Sequence, residues 1–178
     1  MRDALIVSTA RTPLTKSYRG TFNNTTAPTM AGWAIEEAVK RSGVDPEKVD
    51  DVIMGAALQQ GTQHCNVARN AALVAGLPVT VSGMTLDRQC SSGMMAIATA
   101  AKQIISDGMD VAVGGGLDSI SLVQTEKMNL DRWVDKKLIA KHKHIYMPML
   151  KTAEVVANRY NISRESQDEY SLQSQLRT

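Results

Sequence analysis

Residues 84–116, MTLDRQCSSGMMAIATAAKQIISDGMDVAVGGG, contain the pattern that decides the fold. The apolar run 84–86 is typical of a strand. A helix is predicted over 91–107, with Gly108 after it, because apolar residues recur at helical spacing: Ile97, Ala100, Ala101, Ile104 and Ile105. A further strand is predicted over 110–113. A strand, a helix and a strand in this order predict a βαβ unit with parallel strands.

The residues on the amino side continue this alternation. Buried strands are predicted over 4–7, where Pro13 soon follows, and over 52–54. Helices are predicted from Thr29 to Gly43 and over 66–75, the second closed by Gly76, with a short helical turn at 45–47. The sequence therefore predicts the α/β fold class.

The carboxyl-terminal part has a different character. Residues 129–144 are rich in Lys and His with weak periodicity, which indicates an exposed insertion. Helices are predicted over 152–160 and after Ser163, which can cap the last one. No Gly or Pro stops this last helix, so we expect the chain to be the first part of a longer polypeptide.

Composition narrows the function classes. The chain has 178 residues, 43% of them apolar, and a formal net charge of +2, which argues against disorder and against nucleic-acid binding. Two cysteines cannot build a disulfide framework, so we expect a reducing compartment, with the cytoplasm as the default. No apolar run is long enough to predict a membrane span, and no signal peptide is evident.

Cys90 is the strongest candidate for a catalytic residue. It lies at the predicted junction between a strand and the amino terminus of a helix, where free N–H groups and the helix dipole favour a thiolate. The small residues after it leave room for a substrate carbonyl, and its own N–H could stabilise an oxyanion. The alternative is a buried, unreactive cysteine.

Other candidates carry weaker signals. His64 next to Cys65 suggests a dyad, but adjacent side chains rarely orient for proton transfer, so packing is the preferred interpretation. His142 and His144 lack neighbouring metal ligands, so no metal site is predicted, and a solvated basic loop is favoured. The glycines at 114–116 lack the spacing of a phosphate loop and indicate close packing at the end of a strand. Arg69 and Asn70, near Asn66, have two interpretations of equal weight. They contribute to a contact between subunits or to the wall of a site, or they are ordinary polar residues on the surface.

Four sequence motifs resemble motifs of the thiolase family, and together they cover nearly the whole chain in the same order. The first, ALIVSTARTPL, lies at 4–14, and GAALQQGTQHCNVARNAALVAGLP follows at 55–78. The third combines DRQCSSG at 87–93 with DVAVGGGLDSIS at 110–121, and the fourth is TAEVVANRYNISRESQDEYSLQSQ at 152–175. A ketoacyl synthase or a hydroxymethylglutaryl-CoA synthase is a further alternative. The motif at 152–175 favours a thiolase over both.

The resemblance implies a thiolase-like fold. Residues 1–120 would form the N-terminal βαβαβ half, with a mixed, mostly parallel sheet, and 121–178 the beginning of an inserted loop domain that covers CoA. Cys90 would attack the keto carbon of a 3-ketoacyl-CoA, release acetyl-CoA and pass the acyl group to CoA, or catalyse the reverse condensation. Met149 would border the substrate. The resemblance implies no cofactor besides CoA as co-substrate, and a homodimer or homotetramer in fatty acid metabolism, with β-oxidation favoured.

The chain departs from the family pattern in three places and lacks its second half. Asp87 stands where Asn is usual, Asp118 where Glu is usual, and Leu150 where Gly is usual. The bulkier Leu150 affects the expected acyl-chain preference. The family's activating His and second Cys lie in a half that these 178 residues do not contain, so we expect no turnover from them alone. A non-catalytic half-module for dimerisation or scaffolding is the alternative function.

Overall fold

The computed structural model describes residues 2–178 as two compact units, one running to Met128 and the other comprising Asn129–Thr178. The first unit contains a three-stranded, wholly parallel sheet of β1 (Asp51–Gly55), β2 (Ser82–Leu86) and β3 (Ala112–Gly116), in the order β2-β1-β3. Its α-helices are α1 (Ala27–Ser42), α2 (Val67–Val74), α3 (Ser92–Lys102) and α4 (Ile120–Val123). Short 3-10 turns form at Pro46–Lys48 and Gly61–Gln63, and α3 continues as a π-helical turn at Gln103–Asp107.

The central strand β1 is buried on both faces, which explains its continuous apolar run. Val52 and Met54 belong to a core cluster that includes Ile35 of α1 and small side chains of α2. Ile53 points the other way and packs with Ala96 of α3. The first unit therefore has three layers, with α1 and α2 on one face of the sheet and α3 on the other.

The helix predictions are confirmed, and their end signals act as expected. Gly43, Gly76 and Gly108 all have left-handed backbone, with φ of 69°, 78° and 83°. Only glycine adopts this conformation at little cost, so these residues end α1, α2 and the α3 segment. Asn66 precedes α2, and its side-chain oxygen accepts a hydrogen bond from the N–H of Arg69.

Two strand predictions need correction. The buried strand predicted over 4–7 is wrong, because these residues form no regular structure and Leu5, Ile6 and Val7 are exposed. An apolar run becomes a strand only when a neighbour pairs with it, and none of the described strands does. The strand predicted over 110–113 begins two residues later, at Ala112, and runs on to Gly116. It begins later because the N–H groups of Asp110 and Val111 donate to the Asp50 carboxylate, at 2.8 and 3.0 Å.

The second unit consists of α5 (Lys136–Lys141), α6 (Met149–Tyr160) and α7 (Arg164–Leu176). The exposed character predicted for 129–144 is confirmed. Ser163 caps α7 as predicted, because its hydroxyl accepts from the N–H of Ser166 at 3.2 Å. The division into units falls after Met128, while the assignment of a loop domain to 121–178 stays a prediction. Across the described residues, no helix combines the length and apolar character that crossing a membrane requires.

Candidate active site

Cys90 lies in a tight turn between the carboxyl end of β2 and the start of α3, as predicted. The turn is closed by backbone hydrogen bonds from Ser91 to Arg88, at 3.1 Å, and from Ser92 to Gln89, at 3.0 Å. Gln89 has a left-handed backbone with φ of 51°, which a residue with a Cβ adopts only when its surroundings hold it there. Cys90 is exposed and is not part of a disulfide. The alternative of a buried cysteine is therefore wrong, while the catalytic role of Cys90 stays a prediction.

Ser92 is the side chain that holds this turn from inside. It is only 3% exposed. Its hydroxyl donates to the carbonyl of Gln89 at 2.6 Å and accepts from the N–H of Arg88 at 2.8 Å. Asp87 adds a bond from outside, accepting from the N–H of Gln89 at 2.7 Å. Two side chains thus fix the backbone that carries Cys90.

Glycines bring the start of α3 directly onto the sheet. A Cβ at Gly55, the last residue of β1, would lie 2.1 Å from the carbonyl carbon of Ser92. A Cβ at Gly116, the last residue of β3, would lie 2.8 Å from the Cα of Gly93. Real Cβ atoms do not approach backbone this closely. The close packing predicted for 114–116 is confirmed, and it places Cys90 at the carboxyl edge of a parallel sheet, where α/β proteins build their sites.

The electrostatics at this edge have opposing parts. The first turn of α3 has no side-chain cap, so its N–H groups and the positive end of its dipole lie next to the Cys90 turn. The acidic side chain of Asp87 lies on the other side of the balance, at the start of the same turn. Asp118 lies just beyond β3, and partial burial raises the pKa of its carboxyl. Hydrogen bonds from Gln63 and Ala57 work against this rise in pKa, and repulsion by Asp87 adds to it.

Sequence reasoning assigned no role to Gln63, which organises this edge, and treated Asp118 only as a departure from a family pattern. Gln63 is 1% exposed although it is polar. Its amide nitrogen donates to the carbonyl of Leu58 at 2.8 Å and to Asp118 at 3.2 Å, and its oxygen accepts from the N–H of Ser119. The signal in the sequence was an acidic residue placed just after the glycines of a strand, at the edge where Cys90 was expected.

The remaining candidates lie elsewhere. His64 and Cys65 are both exposed, so the packing role predicted for them is wrong. No hydrogen bond joins Cys90 to a histidine within residues 2–178, and His142 and His144 are exposed after α5, as the interpretation of a solvated loop requires. Met149 is the first residue of α6, exposed, and belongs to the second unit, whereas Cys90 belongs to the first.

Arg69 and Asn66 connect α2 to the chain around β2. The Arg69 guanidinium donates to the carbonyls of Val79, at 2.9 Å, and Val81, and Asn66 donates to the carbonyl of Gly83 at 2.7 Å. These bonds are internal to the first unit. They give both residues a structural role within this unit, while a role in a dimer contact or an active-site wall stays a prediction.

Comparison with known proteins decides the family. A family model described as the thiolase N-terminal domain matches residues 4–178. The chain belongs to the thiolase family. Residues 2–178 therefore show the thiolase-like N-terminal fold expected above, with a parallel sheet and Cys90 at its carboxyl edge.

Individual thiolases agree with this assignment. The chain is 38% identical to a 3-ketoacyl-CoA thiolase of Bacillus subtilis over 174 residues, which is 98% of this chain and 44% of that protein. It is 37% identical to an acetyl-CoA acetyltransferase of Cupriavidus necator, covering 98% of this chain and 47% of that protein. The crystal structure of the Bacillus anthracis acetyl-CoA acetyltransferase superposes with a TM-score of 0.82 at 37% identity, over 97% of this chain and 45% of that one. The chain thus spans about half the length of the thiolases it matches.

Proposed function

We propose that the protein is a thiolase-type acyltransferase in which Cys90 is the nucleophile. The Cys90 thiolate attacks the keto carbon of a 3-ketoacyl-CoA, and the bond between the α and β carbons breaks. Acetyl-CoA leaves once its α carbon has taken a proton, and the acyl group stays on Cys90 as a thioester. The thiol of a second CoA then accepts the acyl group, and its proton returns to the protein. The reverse sequence condenses two acetyl-CoA molecules.

One observation carries this proposal: an exposed cysteine held by Ser92 and Asp87 in a turn that opens onto the amino terminus of α3. Such a position favours the thiolate and supplies N–H groups for a developing oxyanion. Degradation of 3-ketoacyl-CoA, as in β-oxidation, is the proposed direction. This direction is supported by the Arg-Gln-Cys-Ser-Ser-Gly motif at 88–93 and by the names of relatives such as the Bacillus subtilis 3-ketoacyl-CoA thiolase.

The decisive experiment compares Cys90→Ser with Cys65→Ser, since both cysteines are free and exposed. The intact mass of the natural protein is measured first, and thiolysis of acetoacetyl-CoA is then assayed on that protein. We expect Cys90→Ser to abolish thiolysis and the acyl adduct seen by mass spectrometry, and Cys65→Ser to keep both. Turnover by the Cys90 variant, or an adduct on Cys65 alone, contradicts the proposal.

The 178 residues alone provide the nucleophile without the His and second Cys that the resemblance places in another half. We therefore expect thiol reagents to modify Cys90 of this chain rapidly, without thiolysis. Turnover by the 178-residue chain alone would overturn the expectation that catalysis needs residues from the other half. Met149, exposed at the start of α6, is kept as a proposed substrate contact, and Met149→Ala is expected to raise the KM for acyl-CoA in the turnover-competent protein.

A non-catalytic half-module is the second candidate, and one observation favours it. Leu5, Ile6 and Val7 are 69–79% exposed although their pattern is that of a buried strand. Such a segment suits a chain that pairs with another polypeptide. If the natural protein has the mass of these residues alone, shows no thiolysis and copurifies stoichiometrically with a second polypeptide, this candidate replaces the first.

The assembly and compartment are part of the same proposal. We propose a homodimer or homotetramer, to be checked by light scattering of the eluted protein, with acyl-CoA and CoA as small-molecule partners and no resident cofactor. The cytoplasm is the proposed compartment, supported by the two free cysteines. A relative from Arabidopsis thaliana is named as peroxisomal, so imaging of the tagged protein in its own cells discriminates the two.

A further inference from the structure

Asp118 connects two loops at the carboxyl edge of the sheet. One oxygen of its carboxylate accepts from the N–H of Ala57 and from the side-chain amide of Gln63, both at 3.2 Å. Ala57 and Gln63 lie in the loop that follows β1, whereas Asp118 lies two residues after the end of β3. Gln63 returns a second bond to the same segment by accepting from the N–H of Ser119. The loop after β1 is thereby tied to the residues after β3.

The tied loop supports the turn that carries Cys90 from both ends. Ala56, next to Ala57, donates its N–H to the carbonyl of Leu86 at 3.0 Å, immediately before the turn begins. Gly55 lies against Ser92, immediately after the turn ends. A displacement of residues 55–57 therefore moves the two points between which the Cys90 turn is held.

We propose that Asp118 is a positioning residue for Cys90, acting as the hydrogen-bond acceptor that fixes the loop after β1 beneath the nucleophile turn. The inference rests on the proposed function, because it gives the residue a task only if Cys90 is the nucleophile. Asp118 itself makes no hydrogen bond to Cys90. It acts through Ala57 and Gln63, and through the contacts of residues 55 and 56 with the turn.

A direct effect of the Asp118 charge on Cys90 is the competing explanation. Two substitutions at residue 118 separate this effect from a positioning role. Among the described residues, Asp87 is the charged group that acts on Asp118, and their repulsion contributes to the raised pKa of Asp118. In general, a carboxylate close to a cysteine disfavours its thiolate, whereas placement at a helix amino terminus favours it. Asparagine at 118 removes the charge but keeps an oxygen that accepts from the same two donors, whereas alanine removes both.

The experiment is a pH–rate profile for alkylation by iodoacetamide, with both cysteines followed by peptide mass spectrometry in the same sample. Cys65 gives the internal reference. The variants are Asp118→Asn and Asp118→Ala, and Asp107→Asn is the matched control because it makes the same charge change at the other end of the α3 segment. Gln63→Met removes one of the two donors and provides a second test if Asp118→Ala unfolds, which circular dichroism detects.

We expect Cys90 in Asp118→Ala to react about three- to tenfold more slowly at neutral pH than in Asp118→Asn. Gln63→Met is expected to slow Cys90 in the same direction, and Asp107→Asn to leave it unchanged. Equal Cys90 rates in the Asn and Ala variants would overturn the positioning role. If instead Cys90 of the unaltered chain reacts no faster than Cys65, the proposed nucleophile itself fails, which is a separate result.

Discussion

Replacing Gly55 by alanine tests whether the close contact between β1 and α3 positions Cys90. A Cβ at this residue would lie 2.1 and 2.3 Å from the carbonyl carbon and oxygen of Ser92, and 2.4 Å from the nitrogen of Gly93. Ordinary van der Waals contact begins at 3.4 Å, so the first turn of α3 must retreat by at least about 1 Å. All three atoms belong to the backbone, so no side chain can rotate away to make room.

The magnitude follows from two opposing effects. Overpacking of this kind costs typically about 1–3 kcal/mol, and contacts with backbone place Gly55→Ala at the upper end. Loss of backbone freedom in the unfolded chain returns about 0.4–1 kcal/mol. The free energy of unfolding is therefore expected to fall by about 2 kcal/mol, which for a chain of this size lowers the melting temperature by about 4–8 °C.

The assay is urea unfolding followed by circular dichroism, combined with alkylation of Cys90. Gly115→Ala is the matched control, because a Cβ there would meet only the Met54 side chain, at 3.2 and 3.3 Å. A methionine side chain moves easily, so this variant is expected to stay within about 0.5 kcal/mol of the unaltered chain. If both alanines destabilise equally, or if Gly55→Ala leaves stability and Cys90 reactivity unchanged, the contact does not position the turn.

Three other changes have outcomes that the structure defines. Ser92→Ala removes the two bonds inside the turn and is expected to cost about 1–3 kcal/mol and to slow alkylation of Cys90, whereas an unchanged rate would mean that Asp87 alone holds the turn. Arg69→Met is expected to cost about 2 kcal/mol in urea unfolding because two carbonyls lose their partner, and Arg69→Lys should recover part of this loss. Asp118 binds its proton more tightly in the folded than in the unfolded chain, so its contribution to stability is greatest at low pH and is lost as pH rises through its raised pKa. Urea unfolding between about pH 3.5 and 7 should show the unaltered chain losing stability relative to Asp118→Asn as pH rises, and a difference independent of pH would contradict the assigned shift.

The helices were predictable because the sequence contains both their apolar faces and their end signals. Gly43 and Gly108 could be assigned before the structure because a left-handed residue at a helix end almost requires glycine. The strands were harder to predict. The strand predicted around Val52 was correct because a central strand is buried on both faces, whereas residues 4–7 are equally apolar but pair with none of the described strands.

The candidate site was predictable to the extent that it depends on local order along the chain. Cys90 has its position because a strand, a turn and a helix follow one another directly. The contact of Gln63 with Asp118 joins residues 55 positions apart, and no periodicity relates them. Only the parallel arrangement of β1 and β3, which brings their following loops to one edge, makes that pair.

The contact at Gly55, Gly93 and Gly116 has a consequence for how this protein can diverge. Where backbone lies directly on backbone, no side-chain rotamer lies between the sheet and the start of α3 that follows the Cys90 turn. Exchanges among Val, Ile, Leu and Met elsewhere in the core can therefore accumulate without re-aiming Cys90. A change in what surrounds Cys90 would have to come from the loops around the cysteine, because the backbone contact between its turn and the sheet contains no side chain that could be exchanged.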